Sequence, residues 1–137
     1  MILSFGNLRA YKGVDCLIEA FEQLVQNLEP AHLLIVGQAW DGWDVCAKLI
    51  ASLDLSSKVT TILEYVPMSE VSKYFIAADV AVLPYRYFDA QSGVGSIALA
   101  FGLPMIVTKV GGLPELVLDD RAKIEPDDVS DLSEKLL

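Results

Sequence analysis

Leu33-Leu34-Ile35-Val36, with its counterpart Val80-Ala81-Val82-Leu83, is apolar at every position. Successive strand side chains point to opposite sides of a sheet, so a strand with one wet face alternates polar and apolar residues. Strands apolar throughout are covered on both faces, as in parallel sheets sandwiched between helices. Outward from these two runs, residues 2–5, 59–63 and 105–108, and more weakly 123–124, also read as strands, the run at 33–36 extending over 32–37. Between them lie helix-period segments. The first carries Leu17, Ile18, Phe21, Leu24, Val25 and Leu28 at three- and four-residue spacing, with Pro30 expected to end it. Further helices are expected near 44–53, from Ser69 as N-cap, near 94–101, as a short turn at 114–117, and after Asp128. Strand and helix alternate along the whole chain. The pattern predicts a doubly wound, Rossmann-like α/β fold, with about six parallel strands, six helical pieces and helices on both faces.

With 137 residues, 53% of them hydrophobic and 21% charged, one domain can bury a sizeable core, and the composition of a disordered chain is excluded. A net charge of −9 repels nucleic acid and anionic lipid, so neither is expected as a partner. Much of that charge falls late, at Asp119, Asp120, Glu125, Asp127, Asp128, Asp131 and Glu134, and reads as a solvated face. Cys16 and Cys46 lack CxxC spacing and sit in apolar-periodic segments, where a cysteine acts as a small buried hydrophobe. His32 is the only histidine and opens an apolar strand, so it reads as structural, and neither a metal-centred hydrolase nor a Ser-His-Asp triad is expected. No apolar run reaches the roughly 20 residues of a membrane span, and no basic region leads into a signal peptide. A cytoplasmic location is expected. Because the chain enters a strand at once, a longer parent protein is expected too.

In open α/β sheets a ligand binds beyond the carboxyl ends of the strands, where strand order reverses. The loop after the first strand reads Gly6-Asn7-Leu8-Arg9-Ala10-Tyr11-Lys12-Gly13 and runs into a helix. Arg9 and Lys12 thus stand near a helix N-terminus, which already favours an anion. The fork of arginine and the point charge of lysine can hold two phosphates between them; taken alone, they read equally well as solvated surface cations. After the fourth strand comes Asp89-Ala90-Gln91-Ser92-Gly93-Val94-Gly95-Ser96, whose small residues let a phosphate approach backbone at the next helix. Gly93-x-Gly95-x-x-Ala98 matches the dinucleotide fingerprint in letters only, since that motif belongs in the first strand-to-helix turn, and no P-loop lysine is present. Two anion-suited loops at one sheet edge point to a nucleoside diphosphate site. At the end of the third strand, Glu64-Tyr65-Val66-Pro67 offers a resting place for a base, with Tyr65 itself expected to pack. Trp40 and Trp43, flanking Asp41-Gly42, either line a cleft or close the sheet edge. Glu115, in Gly111-Gly112-Leu113-Pro114-Glu115, is explained by capping the helical turn that follows.

Taken together, Phe5-Gly6, Leu8-Arg9, Tyr11-Lys12-Gly13, Ala78-Asp79, Leu83-Pro84-Tyr85, Gln91-Ser92-Gly93-Val94, Gly102-x-Pro104 and Gly111-Gly112-Leu113-Pro114-Glu115 resemble the group 1 glycosyltransferases. The resemblance runs nearly end to end and matches the C-terminal, donor-binding domain of a two-domain GT-B enzyme. It implies a cytoplasmic, metal-independent transferase, usually retaining, that moves a hexose from a UDP- or GDP-sugar to a glycan, lipid or small-molecule acceptor. The acceptor would sit on an N-terminal domain of about 200 residues, absent from residues 1–137, so this part is expected to bind and not transfer. No cofactor is implied, the nucleotide sugar being substrate. Arg9 and Lys12 match the positions that neutralise the diphosphate, and Asp89 the position that faces the donor hexose. Gly6, Glu64, Tyr65, Val66, Gln91, Ser92, Gly93 and Val94 match the donor-binding backbone and base-receiving edge. Two departures stand out. Many members carry two glutamates with seven residues between them; here those positions hold Asp89 and Ile97, and Ile97 cannot accept a hydrogen bond from ribose. A branch with Gln-Ser-Gly-Val at this place also lacks the second acid, so the change reads as lineage variation. Asn7 stands where many relatives have arginine, with Arg9 as its substitute. The rivals are a non-catalytic nucleotide-binding or scaffolding domain and a receiver-like signalling module. The latter needs clustered acids after its first strand, and Gly6-Asn7-Leu8-Arg9 has none.

Overall fold

The computed structural model describes residues 1–27, 30–87 and 93–136. Strands β1 (Ile2–Phe5), β2 (Leu33–Val36), β3 (Val59–Ile62), β4 (Val80–Leu83), β5 (Met105–Thr108) and β6 (Lys123–Ile124) form one sheet in the order β3-β2-β1-β4-β5-β6. Every pairing is parallel. The helices are α1 (Val14–Val25), α2 (Trp43–Ser52), α3 (Met68–Ala77), α4 (Gly93–Ala100) and α5 (Val129–Leu136).

The register explains why β2 and β4 are apolar throughout. Ile2 lies opposite Leu33 and Val80, and Leu3 opposite Leu34 and Ala81, so alternate rows face opposite sides. Ile2, Leu33, Ile35, Val82 and Ile106 pack against Leu17, Ile18, Phe21 and Leu24 of α1, Cys46 of α2 and Leu132 of α5. On the other face Leu3, Leu34, Val36, Leu83 and Val107 pack against Val71 and Phe75 of α3 and Ala98 of α4. Each fully buried side chain of this kind contributes roughly 1.5 to 3 kcal/mol over an exposed one. At the β3 edge the pressure to be apolar relaxes: Thr60 and Thr61 are exposed, and the His32 Nε2 lies 2.7 Å from Thr60 Oγ1.

Several local expectations need correction. Ser69 does not cap α3: the N-cap is Pro67, whose extended backbone (φ −63°, ψ 151°) leads into a helix beginning at Met68. Proline presets that φ, and its carbonyl accepts the Glu70 N–H at 2.8 Å. Helix α1 stops at Val25, before Pro30 is reached, and Leu28 lies outside the described residues. Two unanticipated 3-10 turns, Ala10–Lys12 and Asp120–Ala122, join the expected one at Leu113–Leu116. The second forms because Asp119 accepts from the backbone N–H of Arg121 at 2.9 Å. Tyr65 is 71% exposed and does not pack. The strand order also differs from the 2-1-3-4-5 of flavodoxin-like and receiver folds, which removes the receiver rival.

Candidate functional site at the switch point

β1 and β4 are neighbours, but from β1 the chain moves outward to β2 and from β4 to β5 on the opposite side. A crevice therefore opens above their carboxyl ends, and the loops after β1 and β4 line it. Beyond β1 the pairing continues, with Gly6 N–H donating to Val36 O at 3.0 Å and Leu8 N–H to Gln38 O at 2.9 Å. The chain then tightens into the turn Ala10–Lys12, closed by Lys12 N–H to Arg9 O at 3.0 Å.

Two glycines shape this loop. Gly13 has φ 69°, and a Cβ there would overlap the carbonyl oxygen of Pro84, so the turn abuts the end of β4 backbone to backbone. Gly6 has φ 121°, and a Cβ there would lie 3.1 Å from Lys12 Nζ and 3.2 Å from Val94 Cγ2. The Lys12 ammonium and the first turn of α4 thus meet over one glycine. Helix N–H groups point out of that end of α4 and carry a partial positive charge.

Lys12 is half-buried, its Nζ 5.6 Å from the centre of the Tyr85 ring, and has no carboxylate partner among the described residues. Burial lowers its pKa below the ordinary 10.5, and the nearby charge of Arg9 lowers it further. A desolvated cation with no counterion among the described residues is an unfavourable arrangement that an anion would relieve. Arg9 is drawn toward the loop after β2 instead: its Cζ lies 4.7 Å from the Trp40 ring centre, and Nη1 is 3.8 Å from Asp41 Oδ1. Asp41 also accepts the Ala10 N–H at 3.4 Å. Trp40 is thus an exposed platform for Arg9, while Trp43 packs half-buried on the α1 side and lines a cavity of about 70 Å³ with Leu8, Arg9, Cys46 and Arg86.

The other expected positions are spread along the same edge. Gly93 and Val94 open α4; Asp89, Gln91 and Ser92 lie outside the described residues. Glu64 and Tyr65 are exposed and Val66 half-buried at the end of β3, two strands away from β1. Ile97 packs against the α3-side core. Glu115 lies in the first turn of Leu113–Leu116 without a side-chain cap bond, its own N–H donating to Gly112 O at 3.3 Å. The late acids are largely neutralised where they stand: Asp119 by Arg121, Asp120 by Lys123, Glu125 by Lys109 and Asp131 by Lys135. Both cysteines are buried, and desolvation pushes the thiol of Cys16 up to about 11 and that of Cys46 up to about 12.

Sequence reasoning missed Arg86. Its Nη1 donates to Ala10 O, its Nη2 to Asp15 Oδ2 and its Nε to Asp127 Oδ1, each at 2.7 Å, and its backbone N–H donates to Tyr11 O at 2.6 Å. The two carboxylates hold its pKa well above that of a free guanidinium, the bond to Asp15 contributing most. A cation just after β4 was the available signal, but partners 71 and 41 positions away cannot be read from spacing.

Comparison with known proteins agrees with this architecture. A family model for glycosyl transferases group 1 matches residues 1–137. An uncharacterised glycosyltransferase of Methanocaldococcus jannaschii is 34% identical over 117 residues, covering 85% of this chain and 29% of the relative. The C-terminal domain of a group 1 family glycosyl transferase (LpcC) from Francisella tularensis shares the fold with a TM-score of 0.85 and 23% identity, over 98% of this chain and 72% of that one. A TarM structure from S. aureus, in complex with fondaparinux, alpha-GlcNAc-glycerol and UDP, gives a TM-score of 0.85 and 20% identity, over 99% of this chain and 27% of that one. The chain spans only 29%, 32% and 30% of the lengths of three curated relatives it matches. Among the described residues no helix is long and apolar enough to cross a membrane.

Proposed function

The chain belongs to the group 1 glycosyltransferases, and from that premise we propose that it binds the donor, a UDP- or GDP-linked hexose, in a two-domain GT-B transferase. The observation that carries the reading is Lys12, a half-buried cation without a carboxylate partner among the described residues, beside the N-terminal turn of α4 at the switch point. A diphosphate there would gain a charged side chain and helix N–H groups together. The UDP in the TarM structure supports a nucleotide donor.

In transfer, the bond between the anomeric carbon and the diphosphate oxygen breaks, and negative charge grows on the leaving group. Lys12 and the end of α4 stabilise that charge as it develops, and Arg9 supplies the second cation by rotating from Trp40. This reading assigns the hexose to Asp89, the phosphates to Gly6, Gln91, Ser92, Gly93 and Val94, and the base to residues 64–66. The full-length protein, cytoplasmic and with no cofactor, passes the hexose to a glycan, lipid or small-molecule acceptor on a further domain. The 137-residue chain alone binds without transferring.

Calorimetric titration with UDP, GDP, ADP and NAD tests this. UDP or GDP should bind at least about tenfold tighter than NAD, with Arg9→Ala and Lys12→Ala each losing about tenfold or more. Binding of none of the three nucleoside diphosphates, or indifference to both substitutions, would remove the reading.

A further inference from the structure

Arg86 is surrounded by the candidate donor site without being free to bind a donor. Two carboxylates, Asp15 and Asp127, offset its charge, and Ala10 O takes a third donor. Its main chain is pinned as well. Arg86 N–H donates to Tyr11 O, and the preceding Tyr85 O accepts from the buried Thr108 hydroxyl at 2.7 Å. Pro84, one residue earlier, is the surface against which Gly13 lies. Residues 84–86 therefore form an abutment under the turn that carries Lys12, through backbone, the Arg86 guanidinium and the Tyr85 ring, which meets Tyr11 edge-on at 5.9 Å.

The Asp127 contact shows how much is arranged around this guanidinium. Asp127 is one of only two non-glycine residues among those described with positive φ, at 61°. The left-handed conformation is uncommon outside glycine and persists where surroundings hold it. Here it turns the chain between β6 and α5 so that the carboxylate meets Arg86 Nε. One side chain thereby ties four segments together: the β1–α1 turn through Ala10, the start of α1 through Asp15, the end of β4, and the β6–α5 turn.

We propose that Arg86 is a positioning residue of the donor site, holding the Ala10–Lys12 turn where the Lys12 ammonium meets Gly6 and the first turn of α4. It acts on the diphosphate through Lys12 and does not touch it. The inference rests on the donor-site reading. Removing Arg86 leaves a turn that must be ordered by the ligand, and each ordered side chain weakens binding by a few-fold.

The test titrates UDP and GDP into the 137-residue chain as wild type, Lys12→Met, Arg86→Ala and the double variant, each checked for a cooperative melt. Arg86→Ala should lose roughly three- to tenfold in affinity. The double variant should bind within about twofold of Lys12→Met, because positioning an absent ammonium has no effect. The alkaline pH at which UDP binding weakens should rise in Arg86→Ala, since a released Lys12 regains solvent and keeps its proton longer. Arg9 and Tyr85, the ionisable groups facing Lys12 among the described residues, are unaltered in that variant. Should Arg86→Ala not fold, Asp127→Asn removes a single tie and should lose about twofold. Wild-type affinity in a folded Arg86→Ala, or losses that multiply in the double variant with an unmoved alkaline limb, would overturn the proposal. Unchanged affinity in Lys12→Met would instead sink the donor site, and this inference with it.

Discussion

Lys12→Met separates the two consequences of one ammonium group. Methionine keeps most of the aliphatic stem, so packing over Gly6 and against Tyr85 is largely retained while the charge is removed. In the free chain that charge is half-buried with no carboxylate among the described residues, and burial already depresses its pKa. Its loss should therefore stabilise the fold, by about 0.5 to 1 kcal/mol once solvent access is allowed for. For a domain of this size the gain corresponds to a melting temperature roughly 2 to 4 °C higher. Diphosphate binding should move the other way. A hydrogen bond from a charged donor contributes about 1.5 to 3 kcal/mol, so UDP or GDP affinity should fall by roughly ten- to 150-fold. Thermal melts without ligand and calorimetry with it give both signs on the same preparation. A variant that melts lower and binds as wild type would show Lys12 to be a structural cation and not an anion ligand.

Gly13→Ala should cost on the order of 2 to 4 kcal/mol in urea unfolding, combining the left-handed backbone with the overlap on Pro84 O. A loss below about 1 kcal/mol would mean the turn reseats without strain. The stability difference between wild type and Lys12→Met should depend on pH. Near neutrality both folded and unfolded wild type hold the Lys12 proton, and the fold bears the whole penalty. As pH rises toward 10.5 the folded state loses that proton first, so wild type gains and the gap closes, read as converging urea midpoints. Cys16 and Cys46, with thiols raised to about 11 and about 12, should resist a thiol-labelling reagent at neutral pH until denaturant exposes them. Rapid labelling of native protein would contradict their burial.

The sheet was legible because its cause is local and periodic. Leu33 to Val36 and Val80 to Leu83 are apolar on both faces only because helices cover both, and that pattern survives in one dimension. The two candidate phosphate loops could be named from the chain because strand-end glycines, cations and a helix start lie close together in it, though residues 88–92 of the second lie outside the described residues. Boundaries were less so: the Pro67 cap and the Ala10–Lys12 turn depend on backbone geometry that composition only hints at. The exposure of Tyr65 depends on what stands beside β3, and nothing in its neighbours along the chain states that.

By itself, then, the order of residues determined the α/β class, the alternation of elements and Lys12 as a candidate anion ligand, because each rests on spacings shorter than a few turns. Only the tertiary structure decided that β1 lies beside β4, that Lys12 meets Val94 over Gly6, and that Arg9 leans on Trp40. It alone assigned Arg86 to Asp15 and Asp127. Such contacts join segments whose separation along the chain says nothing about their distance in space. They exist only after the sheet has brought its strand ends into line, and so they leave no periodic trace for a reader of the sequence.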